Sequence, residues 1–205
     1  MQLVLDHLAV CAVTLAEGVA AMEARLGVTL AAGGEHPLMG TQNRLLGLGP
    51  GLYLEVIAVD PAAPRPAWPR WFDLDRFTGP PRLANWICRT DDLDAALAAA
   101  PPGIGAPVAL SRGDYRWRFA IPPTGVLPFD DAHPGLIEWG GDLHPAKGLP
   151  DSRCRLRRLV VTHPEAAALH RHLGALADPR VVVQAGPEKA LMAEIETPFG
   201  LRLLQ

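Results

Sequence analysis

GLYLEVI, at residues 51–57, is an apolar run typical of a buried strand, and it carries a single acid, Glu55. GLIEW, at residues 135–139, repeats this pattern with Glu138 as the single acid. A carboxylate in a buried strand costs free energy unless another group pairs with it. Because the same costly feature closes two otherwise dissimilar blocks of sequence, we infer an internal duplication whose halves share one site.

The first block predicts one strand, one helix and three further strands. Apolar residues recur at helical spacing from Thr14 to Leu26, and Gly27 follows them as a common helix terminator. The predicted strands cover residues 3–11, 28–32, 42–48 and 52–59, with a Gly-rich loop at residues 33–37. The block is therefore a β-α-β-β-β module.

The same order of elements recurs twice more along the chain. The predicted divisions are a first module, a connector rich in Pro and aromatic residues, a second module and a shorter third module, at residues 1–60, 61–81, 82–145 and 152–205. Repeats this long and this few exclude a solenoid or a propeller. The predicted fold class is α+β, with repeated β-α-β-β-β modules forming a curved, cup-like mixed sheet backed by helices. We expect the third module to extend this sheet.

Composition excludes several classes of protein. The chain has 205 residues, of which 49% are hydrophobic, and its formal net charge is -3. These values exclude a disordered tail and the basic surface of a nucleic-acid binder. No apolar run approaches the roughly 20 residues that span a bilayer, and the first residues lack the basic segment of a signal peptide. Three scattered cysteines indicate free, buried thiols, so we expect a cytoplasmic protein that binds neither membranes nor nucleic acid.

Strand alternation predicts which side chains face the inside of the cup. If the apolar side of each strand packs on the helices, its polar residues point to the concave side. This places His7 and Glu55 inside in the first module. The predicted strands of the second module include residues 107–110, 115–121 and 136–139. Here alternation places Arg116, Arg118 and Glu138 inside and turns their aromatic neighbours toward the helices.

Six short motifs resemble one known group of proteins. LDHLAV at residues 5–10 and YLEVI at 53–57 are similar to the first- and fourth-strand motifs of the vicinal oxygen chelate superfamily, which includes glyoxalases, bleomycin-resistance proteins and extradiol dioxygenases. The others resemble its glyoxalase-like domain group: GEHP at 34–37, GTQN at 40–43, WFDLD at 71–75 and IEWG at 137–140. The resemblance covers nearly the whole chain and implies paired modules around one cavity.

The resemblance also implies a metal site. In that superfamily, His or Glu residues on the first and fourth strands of each paired module hold a divalent metal, which corresponds here to His7, Glu55 and Glu138. The remaining ligand position falls on Asn85, where His is usual, and an amide is a weaker transition-metal ligand than imidazole. Such a site suits Fe, Mn, Zn or Ni. A metal-free polar cluster fits the same residues, so both interpretations stay open.

Further candidate residues follow from side-chain chemistry and the same resemblance. His36 and Glu138 are candidate catalytic acids or bases. Asn43, Arg116 and Arg118 are candidate substrate ligands, because arginine pairs well with carboxylates. The expected partner is a small molecule, and a homodimer or a self-contained single chain fits equally.

Two functions are consistent with these residues. The first is a glyoxalase-like, metal-dependent enzyme that acts on a small oxygenated, anionic molecule as a lyase, isomerase or dioxygenase. The second is a non-catalytic protein of the same fold that binds and sequesters a small molecule.

Overall fold

The computed structural model describes residues 2–205. In the first module, Thr14 caps the helix by accepting a hydrogen bond from the Glu17 amide, and Gly27 ends it with a φ of 73°. The predicted loop at residues 33–37 is wrong, because most of it continues the second strand. The elements are β1 (Val4–Cys11), α1 (Leu15–Leu26), β2 (Ala31–His36), β3 (Thr41–Gly47) and β4 (Tyr53–Val59).

The second module repeats this order, and so does the third. The elements of the second module are β5 (Arg82–Arg89), α2 (Leu93–Ala99), β6 (Ala106–Arg112), β7 (Tyr115–Ile121) and β8 (Gly135–Trp139). After the short helix α3 (Pro145–Gly148), the third module consists of β9 (Arg155–His163), α4 (Ala166–His172), β10 (Val181–Ala185), β11 (Ala190–Thr197) and β12 (Gly200–Leu204).

The first two modules form one eight-stranded mixed sheet, in the order β2-β3-β4-β1-β5-β8-β7-β6. Strand β1 pairs in parallel with β4 and antiparallel with β5, so the first strands of both modules lie side by side at the centre. The sheet curves until its two edge strands, β2 and β6, approach each other. The predicted fold class, α+β with paired modules around a cup, is confirmed.

The third module forms its own four-stranded sheet, in the order β10-β9-β11-β12, and the expectation that it extends the first sheet is wrong. Its inward residues, such as Leu159, Val161 and Ala193, share one apolar core with Leu8 and Val56 of the large sheet. Burying this apolar face against the helix side of the large sheet removes more apolar surface from water than edge pairing would.

The connector covers the concave side of the large sheet. Its residues Trp71 and Phe72 are buried and form a second apolar cluster with Ile57, Ile87 and other concave-side residues. Phe72 has a φ of 58°, a left-handed conformation that is unusual for a bulky residue. Phe72 lines two separate spaces, a polar cavity toward the first module and an open cleft toward the third.

The state of the cysteines and the length of the helices agree with the expectations drawn from the composition. Cys11, Cys88 and Cys154 are all free and buried, as predicted. Within residues 2–205, none of the helices has the length and apolar character that a bilayer crossing requires.

Candidate active site

The cavity lies on the concave side of the first module. Alternation along β1, β3 and β4 points His7, Asn43 and Glu55 into it, while Leu8, Val10 and Val56 pack on the helix side. The predicted inward orientation of His7 and Glu55 is therefore confirmed. The open volume is only about 40 Å³, because aromatic side chains close the cavity.

His7 is held by the carboxylate that precedes it in the chain. The His7 Nδ1 lies 2.6 Å from Asp6 Oδ1, and both side chains are buried. A register shift between Leu5 and His7 interrupts the pairing of β1 with β5, which lets these sequence neighbours meet. Because Asp6 accepts at Nδ1, the His7 Nε2 is the atom that faces the cavity.

Asp6 is a fully buried carboxylate with several partners. Besides His7, its oxygens lie 2.9 Å from His144 Nε2, 3.1 Å from Trp139 Nε1 and 3.4 Å from an Arg89 nitrogen. Burial alone would raise the pKa of Asp6, but the hydrogen bonds and charges of His144 and His7 hold that pKa well below its usual range. The carboxylate therefore stays ionised and orients the His7 ring. Sequence inspection missed this role of Asp6.

Glu55 shares the cavity with His7 and Asn43. Its Oε2 lies 3.7 Å from His7 Nε2, and its Oε1 accepts a 2.5 Å hydrogen bond from Asn43 Nδ2. The Asn43 Oδ1 accepts from the Gly34 amide at 2.8 Å. A Cβ at Gly33 would lie 2.1 Å from this oxygen, so the glycine is required for the close approach.

His36 and Arg112 complete the polar part of the cavity. An Arg112 guanidinium nitrogen lies 3.2 Å from His36 Nε2 and 3.3 Å from Asn43 Oδ1, and His36 Nδ1 lies 3.0 Å from Thr41 Oγ1. Burial, aided by the charge of Arg112, lowers the pKa of His36 to about 4 against the opposing charge of Glu55. At neutral pH the His36 ring is therefore uncharged.

Arg112 was not predicted from the sequence. It ends β6, two residues beyond the predicted strand, and crosses from the edge of the second module to the edge of the first. Val108 and Leu110 belong to the concave apolar cluster, so alternation continued along a longer strand would have placed Arg112 on that side.

Aromatic side chains form the rest of the wall. Tyr53 stacks on His7 with ring centroids 4.5 Å apart, and Trp71 meets His36 edge to face at 5.2 Å. The second module adds Trp117 and Trp139. The Trp71 Nε1 has no hydrogen-bond partner within residues 2–205, so it is a donor available to a bound ligand.

The predicted orientation of the second module is wrong by one residue. Ile137 and Trp139 line the cavity, which turns Glu138 to the opposite face of the sheet. There Glu138 accepts a 2.6 Å hydrogen bond from Arg118 Nε and a 3.2 Å bond from the Leu93 amide at the start of α2. The Arg118 hydrogen bond lowers the pKa of Glu138. A carboxylate is favourable at a helix N-terminus, which accounts for this outward position.

Arg116 and Arg118 also lie outside the cavity. Trp117 and Phe119 point inward in their place. Arg118 pairs with Glu138 and, at 3.0 Å, with Asp94 of α2. Arg116 donates to backbone carbonyl groups, including that of Tyr115 at 2.8 Å. Neither arginine is placed to bind a ligand in the cavity.

The side chains of the cavity do not fit a divalent metal. His7 and Glu55 are close together, but Glu138 lies on the other face of the sheet and Asn85 opens into the separate cleft. No group of three His, Cys, Asp or Glu residues within residues 2–205 has a geometry that could hold an ion. The Arg112 guanidinium already occupies His36 Nε2, and the Asn43 amide already occupies one of the two carboxylate oxygens of Glu55.

Comparisons with known proteins agree with the architecture. The model of the family described as Glyoxalase-like domain matches residues 5–177. A hypothetical protein from Staphylococcus aureus superposes with a TM-score of 0.63 at 14% identity, over 92% of this chain and 88% of that one. A mutant of 4-hydroxymandelate synthase from Streptomyces coelicolor gives 0.50 at 16% identity, over 97% of this chain and 60% of that one.

A further similar structure is methylmalonyl-CoA epimerase from Mycobacterium tuberculosis, with a TM-score of 0.42 at 20% identity, over 66% of this chain and 85% of that one. No curated protein sequence matches significantly. At these identities the solved structures establish the shared fold alone.

Proposed function

Because the chain belongs to the Glyoxalase-like domain family, within the vicinal oxygen chelate superfamily, we propose that it is an enzyme that transfers a proton on a small oxygenated anion. One observation carries this proposal. A buried imidazole, His7, lies between two carboxylates, with Asp6 at Nδ1 and Glu55 near Nε2.

His7 is the proposed proton carrier. A carboxylate at Nδ1 fixes the neutral tautomer in which Nδ1 carries the hydrogen and Nε2 carries the lone pair. Nε2 can then take a proton from a ligand in the cavity, and Asp6 and Glu55 stabilise the imidazolium ion that forms. His36 is less suited to this role, because a pKa of about 4 makes it a weak base at neutral pH.

The remaining cavity groups are proposed to bind the substrate. Arg112 is the one arginine among the residues that line the cavity, so it is the partner for a carboxylate of the substrate. The Trp71 Nε1 can donate to a second oxygen. His36 and Asn43 hold the Arg112 guanidinium in place.

The groups present favour a lyase or an isomerase among the predicted reaction types. Both begin by removing a proton next to a carbonyl or carboxylate group, and the cavity supplies a base and an anion ligand for that step. A ring-opening dioxygenase instead needs an iron or manganese centre, which these side chains do not fit.

Hydrogen exchange tests the proposal directly. Short 2-oxo acids and 2-hydroxy acids, pyruvate among them, are incubated with the protein in D₂O, and loss of the C–H signal is followed by NMR. We expect exchange that His7→Gln slows by about 100-fold or more. Arg112→Met should raise the substrate concentration needed for half-maximal exchange. His170→Gln, on the exposed surface of α4, is the matched control.

The aromatic walls favour one alternative, a protein that binds a small planar molecule without converting it. Trp71, Trp117 and Trp139 all line the cavity, so binding of each acid will change the tryptophan fluorescence. Quenching that depends on Arg112, without exchange that depends on His7, would establish the binder and refute the enzyme.

A further inference from the structure

A second polar space lies on the other side of Phe72. This cleft has a volume of about 350 Å³ and opens between β5, the segment before β8 and the start of β11. The polar side chains in the cleft include Asn85 of β5, Asp131 before β8 and Lys189 just before β11. None of the three takes part in the proposed proton transfer.

Asn85 lies in the cleft with an unused hydrogen-bond donor. The residue is 1% exposed, and its Nδ2 has no hydrogen-bond partner within residues 2–205. The amide is near the Asp131 carboxyl, but the contact lacks normal hydrogen-bond geometry. A buried amide donor without a partner costs about 1 to 3 kcal/mol, so an acceptor in the cleft would relieve a real penalty.

Lys189 brings a partly buried positive charge to the same place. Its Nζ donates to the Ala84 carbonyl at 3.1 Å, next to Asn85 in the chain, and this is its one hydrogen bond within the described residues. Burial lowers the pKa of Lys189, and Asp131 acts against this only through its charge. The ammonium group therefore lacks a close counter-ion.

The rest of the cleft is cationic at its mouth and apolar on one side. The guanidinium of Arg82 stacks on the Phe77 ring at 4.1 Å and donates to the Thr78 carbonyl, so it too lacks an acidic partner. Phe72 and Leu191 add apolar surface. The cleft thus combines two cations without counter-ions, one unused amide donor and an apolar wall. These features suit an anion with an apolar body.

We propose that this cleft is a second binding site, specific for a small organic carboxylate. The carboxylate lies between Lys189 Nζ and Asn85 Nδ2, and the apolar part of the ligand packs on Phe72 and Phe77. Two carboxyl groups in the same cleft oppose an anion. Asp73 is paired with Arg76 at 2.8 Å, so Asp131 is the stronger opponent.

Calorimetry with two probes of the same shape and opposite charge tests this site. Benzoate should bind the wild-type chain, and benzylamine should not bind measurably at the same concentrations. Lys189→Met and Asn85→Leu should each weaken benzoate binding by about tenfold, and Asp131→Asn should strengthen it. Lys147→Met, which changes the other lysine of the chain, should have no effect.

Several outcomes would overturn the inference. Benzylamine binding as tightly as benzoate would do so, as would a benzoate affinity that Lys189→Met and Asn85→Leu both leave unchanged. No heat with benzoate up to about 10 mM would also refute it. Benzoate binding that Arg112→Met abolishes and the cleft variants preserve would assign the anion to the first cavity. That result would refute the second site and leave the proposed function intact.

Discussion

The two modules of the large sheet share one architecture and give the cavity different chemistry. On its concave side the first module carries the polar residues His7, Asn43 and Glu55. On the same side of the sheet, the second module carries Trp117, Phe119, Ile137 and Trp139. Its charged residues Arg118 and Glu138 lie on the opposite face.

This difference shows how a duplicated fold can specialise its halves. An apolar wall lowers the local dielectric constant, which strengthens hydrogen bonds and charge interactions between the polar groups it faces. Arg112 is the exception that joins the halves, because it is a charge from the second module that reaches the polar residues of the first.

Asp6 supports the polar residues of the first module, which form the polar half of the cavity. Replacing Asp6 should therefore have the largest effect on stability. Asp6→Ala leaves His7, His144 and Trp139 without their shared acceptor in a buried site. We expect the free energy of unfolding to fall by about 4 kcal/mol, measured by urea denaturation. Asp142→Ala, on the exposed surface, is the control. A loss below about 1 kcal/mol would show that Asp6 is dispensable for the polar half.

Trp117 tests the assignment of an apolar wall to the second module. Trp117→Ala should lower the free energy of unfolding by about 3 kcal/mol, because the side chain is buried in the concave cluster. Arg118→Ala, one residue further on and partly exposed, should cost clearly less. The reverse order of the two losses would mean that the arginines face inward.

His36 makes the stability of the polar half depend on pH. Its pKa of about 4 in the folded protein lies below the ordinary value of 6.5, so between these values the unfolded chain binds the proton more readily. The stability contribution is therefore complete above pH 6.5 and is lost as the pH falls toward 4.

Comparing pH 7 with pH 5 isolates this effect. Between pH 7 and pH 5, the free energy of unfolding of the wild-type protein should fall by about 2 kcal/mol more than that of His36→Gln. His170→Gln should lose as much as wild type, because His170 is on the surface. Urea denaturation at both pH values gives these differences, and equal losses in wild type and His36→Gln would contradict the buried position of His36.

Glu138 should show the smallest effect. Since it faces α2 in a partly exposed ion pair, Glu138→Gln should cost less than about 1 kcal/mol and leave hydrogen exchange on a substrate unchanged. Glu55→Gln, at the matching position of the first module, should slow that exchange strongly. If both variants slow it equally, the two modules contribute equally to the site.

Much of the fold followed from local patterns. The β7 prediction, residues 115–121, matches the structure, and the α1 prediction agrees to within one residue because Thr14 and Gly27 mark its ends. Orientation of the first module was also predictable, because Leu8 and Val10 of β1 and Leu54 and Val56 of β4 form one apolar face across two paired strands. The site was predicted only in part, since Asp6 and Arg112 depend on a register shift and on the approach of two distant edges.

The sequence by itself determined the strands, the helices and the duplicated α+β architecture, because periodicity and capping act over a few neighbouring residues. Only the tertiary structure decided which face of the second module is inside. The alternation of Arg and aromatic residues in β7 fits either orientation when apolar clusters exist on both faces of the sheet. Trp71 and Phe72 of the distant connector build the concave cluster, and they select the aromatic face by packing against it.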